Sequence, residues 1–80
     1  MSTDYVLTYG MKEQGKWGTM KGAVKRLYFM LKEEKSPIGE QFLSTIWIER
    51  PGCQFPVFIN DIIKAAHDGN WVVDGKWVGG

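Results

Sequence analysis

Cys53 is the only cysteine in this 80-residue chain, and this limits how the chain can be held together. No disulfide can form within it, and one thiol plus one imidazole, His67, falls short of the four ligands of a structural zinc site. Packing must supply what staples cannot. Ordering a chain costs on the order of 1.5 kcal/mol per residue, and one this short buries only about 60–65% of its unfolded surface, so its core must be dense in large apolar groups. Four Trp, four Phe and three Tyr provide them, since aromatic side chains bury the most area each. The length suits one domain, residues 1–80, around one core. A secreted domain of this size normally carries several disulfides, so a reducing, cytoplasmic compartment is expected. Met1-Ser2-Thr3-Asp4 has neither a basic leader nor an apolar stretch, and the longest apolar run is Leu27 to Leu31, so no membrane association is expected.

Local pattern suggests the elements. Tyr5 to Tyr9 reads as a strand ending at Gly10, and Met11 to Gly18 as a polar loop. Thr19 stands at an N-cap position ahead of a helix from Met20 to about Lys35, with Met20, Ala23, Val24, Leu27 and Leu31 on one stripe and Ser36-Pro37 as its stop. Gly22 weakens such a helix by about 1 kcal/mol relative to Ala, so either something packs closely there or the defect is tolerated. Phe42 to Glu49 reads as a strand, Pro51-Gly52 as a type II turn, and Cys53 to Phe58 as the returning arm, with Pro56 favouring an edge or a bulge. Asn60 is expected to cap a helix from Asp61 to Asp68, stopped by Gly69. Trp71 to Val73 and Lys76 to Val78 flank Asp74-Gly75, which is a tight type I′ turn or a kink in one strand. The order β-α-β-β-α-β predicts an α+β fold on the ferredoxin-like plan, with two helices on one face of an antiparallel sheet.

Chemistry-bearing motifs are weak. Gly15-Lys16-Trp17-Gly18-Thr19-Met20-Lys21 has glycines, lysines and a helix start, as phosphate loops do, but not the Walker A spacing; it reads as an ordinary capped loop. Cys53 and His67 could act as a nucleophilic pair only if they met, and a free cysteine is more often a small buried hydrophobe. The carboxylates are scattered, with Glu33, Glu34 and Glu49 most simply read as solvated charges. No catalytic residue, metal or cofactor is assigned, and a non-enzymatic role is expected.

Surface chemistry says more. Ten Lys and Arg nearly cancel nine Asp and Glu, which gives neither the strong positive field of a typical DNA binder nor the acidity of a DNA mimic. Yet Lys12, Lys16, Lys21, Lys25 and Arg26 cluster against Glu13 alone within residues 11–26. If Met20, Val24, Leu27 and Leu31 face the core, Phe29 points away from it beside Lys21, Lys25 and Lys32. In the strand from Phe42, alternation puts Trp47 on the face opposite Phe42, Ser44, Ile46 and Ile48, and Trp71 and Trp77 are candidates to join it.

These features predict a small protein-interaction module: an inhibitor or accessory factor of the size often found among phage and mobile-element proteins, covering a surface of a larger protein or nucleoprotein complex. Its contact residues would be Lys16, Trp17, Lys21, Lys25, Phe29, Lys32, Trp47, Trp71 and Trp77. The alternative is single-stranded RNA or DNA binding, with sheet aromatics stacking bases and the lysines of Met11 to Arg26 on phosphates. The third-strand motif of RNA-recognition domains is missing from Gly52-Cys53-Gln54-Phe55-Pro56-Val57. A homodimer through the open sheet face is compatible with either reading.

Overall fold

A computed structural model describes residues 4–34 and 38–79. Strand β1 (Tyr5–Tyr9) turns directly into β2 (Lys12–Trp17). Helix α1 (Met20–Glu33) follows, then a single helical turn, α2 (Glu40–Leu43), and strands β3 (Trp47–Glu49) and β4 (Val57–Phe58). Helix α3 (Ile59–Asp68) leads into a small hairpin of β5 (Val72–Val73) and β6 (Lys76–Trp77). The main sheet runs β2-β1-β3-β4, antiparallel throughout.

The α+β class and the antiparallel sheet hold, with three helices among the described residues where two were expected, but the element order departs from β-α-β-β-α-β in three places. First, the polar stretch read as a loop is β2. Gly10 and Met11, at φ 64° and 66°, form a two-residue turn that pairs Tyr9 with Lys12, the left-handed geometry of the tightest hairpins. Second, the strand expected from Phe42 begins only at Trp47, because Phe42 and Leu43 belong to α2. The Ser44 and Thr45 hydroxyls donate back to the carbonyls of Gln41 and Phe42, closing the turn by local side-chain bonding. Third, Asp74 and Gly75, at φ 53° and 75°, form a tight turn between β5 and β6, so the C-terminal segment is a hairpin of its own.

Other boundaries shift less. Thr19 caps α1 as expected, its hydroxyl accepting from the Gly22 amide at 3.1 Å; the expected stop at Lys35 to Pro37 lies outside the described residues. Pro51-Gly52 is a hydrogen-bonded turn, with the Cys53 amide donating to the Arg50 carbonyl and Gly52 at φ 74°. The returning arm is a strand only over Val57–Phe58, at the sheet edge. Helix α3 starts two residues early, with Phe58 rather than Asn60 in the cap position and no side-chain cap bond. Gly69 ends it with right-handed geometry, leaving Asn70 to take the positive φ of 57°.

The core lies between sheet and helices. Leu7 and Ile48, register partners in β1 and β3, point to the helical side and are fully buried with Val24 and Leu27 of α1 and Ile62 and Ala66 of α3. Ile46 and Val72 complete the same cluster. Trp17 explains two glycines at once. A Cβ on Gly15 would sit 3.2 Å from the Trp17 ring, and one on Gly22 would sit 3.1 Å from its Cδ1. The helix defect at Gly22 therefore makes room for a bulky side chain that closes the entry to α1.

Candidate functional site

The register of β1 separates the two sheet faces. Tyr5, Leu7 and Tyr9 turn toward the helices, so Val6 and Thr8 lie on the opposite face. Their partners across the sheet are Lys16 and Glu13 in β2 and Glu49 and Trp47 in β3, and Trp47 in turn pairs with Phe58 in β4. This face carries a row of Glu13, Thr8, Trp47 and Phe58 beside a row of Lys16, Val6 and Glu49. Trp47 and Phe58 are in contact, with ring centroids 6.0 Å apart and planes at 57°. Phe58 is 48% exposed, and Trp47, half-buried, lies outside the core cluster. Thr8 is nearly buried although it faces away from the core; the side chains placed to shade it are its register partners, Glu13 and Trp47.

Phe58 extends this apolar surface around the sheet edge. With Leu43 and Ile59 it lines an open groove of ≈ 370 Å³, rimmed by Glu40, Ser44 and Asn60. Sequence reasoning missed Phe58. Counting back across the Pro51-Gly52 turn would have found it, had the returning arm been known to carry a longer irregular connection before pairing.

The nine residues expected to make contacts divide among four places. Lys16 and Trp47 share the open sheet face. Lys25, Phe29 and Lys32 are exposed on the outer side of α1, where the Arg26 guanidinium lies 5.3 Å from the centre of the Phe29 ring. Trp17 packs against the core at the start of α1. Trp71 and Trp77 do not join Trp47: they belong to the C-terminal hairpin region and stack on each other at 6.1 Å, with Tyr28 of α1 6.1 Å beyond Trp77. Both pack against the core, and Lys21 lies along the same C-terminal segment beside Gly79. Burial in this cluster raises the Tyr28 phenol above its usual range.

Cys53 is exposed in the β3–β4 connection, against the expectation of a small buried hydrophobe. Among the described residues no three His, Cys, Asp or Glu side chains gather where they could share a metal ion, and no helix is long and apolar enough to cross a membrane. The Tyr9 hydroxyl donates to Glu34 Oε1 at 2.9 Å, and burial, reinforced by that bond and the carboxylate's charge, pushes its pKa up to about 12. This pair ties β1 to the end of α1. No protein-family model matches the chain, and neither does any curated protein or solved structure.

Proposed function

We propose that this protein is a small interaction module whose open sheet face docks onto another protein, with Trp47 and Phe58 as the anchor. The observation that carries the reading is the aromatic pair itself: two large rings in contact on the sheet face opposite the one where Leu7 and Ile48 are buried with α1 and α3. Aromatic anchors inside a polar rim are the usual energetic centre of protein interfaces. The rim also favours a protein over a nucleic acid. Two carboxylates, Glu13 and Glu49, and one lysine, Lys16, flank the rings on that face, whereas a base-stacking platform needs cations for the phosphates.

A pull-down from a cytosolic extract, comparing the wild-type chain with Trp47→Ala and Phe58→Ala, tests this. The same partner should be captured by the wild type and reduced at least tenfold by either substitution, with a far shallower loss between about 50 and 200 mM salt than a nucleic-acid complex shows. Capture that collapses over that salt range and carries nucleic acid would favour the alternative instead. Partner recovery indifferent to both substitutions would remove the sheet face from consideration.

A further inference from the structure

We infer that the open sheet face accepts the outer face of α1 from a second copy of this chain, so that molecules associate head to tail. The inference rests on reading the Trp47–Phe58 face as a docking surface and names an occupant for it. At about 100° per residue, Phe29 lies almost diametrically opposite the direction in which Ala23, Val24 and Leu27 enter the core. Phe29 is 53% exposed, and Lys25, Arg26 and Lys32 surround it against Glu33 alone. The molecule thus carries an aromatic in a basic field on its helical side and, on its sheet side, an aromatic pair among two carboxylates, Glu13 and Glu49, and one lysine, Lys16.

Charge decides how copies would meet. Sheet face against sheet face brings Glu13 and Glu49 of one copy toward those of the other with only Lys16 of each copy to offset them, and helix face against helix face opposes Lys25, Arg26 and Lys32 with the same three, offset by Glu33 alone. Like charges across an interface disfavour both symmetric arrangements. Helix face against sheet face places Lys25, Arg26 and Lys32 near Glu13 and Glu49, with Phe29 over Trp47 and Phe58. Such an interface is heterologous, leaving one free face of each kind at the two ends, so assembly does not stop at a dimer unless a ring closes.

Sedimentation velocity on the full chain, from about 10 µM to about 1 mM, tests this. The expected result is a weight-average mass that rises past twice the monomer and falls back as salt is raised from about 50 to about 500 mM. Phe29→Ala with Lys25→Glu breaks the helix face, and Glu49→Lys, at an exposed strand position, breaks the sheet face without removing a half-buried ring. Each variant alone should be monomeric. An equimolar mixture should give mass up to twice the monomer and no more, because each species retains one working face. A wild type that stays monomeric throughout overturns the inference. So does a dimer abolished by Glu49→Lys and untouched by the helix-face changes; that outcome would keep the sheet face as a docking surface while giving it a symmetric occupant. Failure of the broader reading is separate, since it requires that neither Trp47→Ala nor Phe58→Ala alter binding of any protein.

Discussion

Tyr9 is 7% exposed, yet its hydroxyl reaches Glu34 across 25 residues of sequence. Its folded pKa of about 12 stands above the ordinary phenol value of 10.0, so the native state holds the proton more tightly than the unfolded chain does. The stabilisation is therefore complete below about pH 10 and is lost as pH rises from there through about 12. Tyr28 is shifted in the same direction and adds to the same slope. Tyr9→Phe should cost about 1 kcal/mol near neutral pH through the lost hydrogen bond, and should flatten the decline in stability above pH 10 without abolishing it. Urea melts of both proteins across that range would show it; parallel slopes would mean that Tyr9 titrates as an ordinary phenol. Trp17 offers a second residue-scale test. Replacing Gly22 by Ala ought to gain about 1 kcal/mol in helix propensity, but the new Cβ would meet Trp17 at 3.1 Å and the Thr19 cap hydroxyl at 3.3 Å. The expected gain is therefore absent in the wild type and partly recovered with Trp17→Ala already present. A double-mutant cycle showing the two changes to be additive would break the link between ring and glycine.

Hairpin β1–β2 shows what the sequence could and could not reveal about elements. Helix α1 was legible because its apolar stripe and Thr19 cap act locally, and the α+β class followed from alternating strand and helix periods. Strand β2 was not legible. As an edge strand with a bulge it has almost no apolar alternation, and Gln14, the residue without a register partner, turns its amide onto the carbonyls of Tyr9 and Lys12 at 3.4 and 3.2 Å. The turn also lacks the usual Asn-Gly or Asp-Gly signal, because Met11 occupies a position at φ 66° where a side chain is strained. In the same way α2 is held by backbone-directed hydroxyls and by the Tyr9–Phe42 ring contact at 5.2 Å, a tertiary partner that Phe-Leu-Ser-Thr does not disclose. For the site, Trp47 followed from simple alternation, whereas Phe58 needed the true register, and Trp71 and Trp77 needed the knowledge that Asp74-Gly75 closes a hairpin. Met11→Gly should relieve the turn and stabilise the protein by roughly 0.5–1 kcal/mol. A rise of a few degrees in melting temperature checks this, and a fall would mean that the exposed Met11 side chain makes a contact worth more than the strain.

The molecule as a whole is a slab, 36 × 27 × 18 Å along its principal axes, with a sheet on one side and helices on the other. A slab has much surface for its volume: 5599 Å² is accessible on a 9.1 kDa chain, against about 4,900 Å² for a typical monomer of that mass. With no disulfide in reserve, every apolar contact made by peripheral elements counts toward a margin that in domains of this kind is only about 5–10 kcal/mol. The C-terminal hairpin is such an element. Val72 is 3% exposed and belongs to the core, and Trp77 meets the Tyr28 ring of α1 while Trp71 meets Trp77. Val72 enters the core cluster and Trp71 and Trp77 pack against it, so the hairpin is part of the cooperative unit and not an appendage. A chain ending at Asn70 should lose more than about 3 kcal/mol and show a partly unfolded baseline in urea, with a lower midpoint and a smaller slope. If that truncated chain keeps the wild-type midpoint, the Trp71–Trp77–Tyr28 stack is decoration on an already sufficient core, and its tryptophans would become free to serve as contact residues after all.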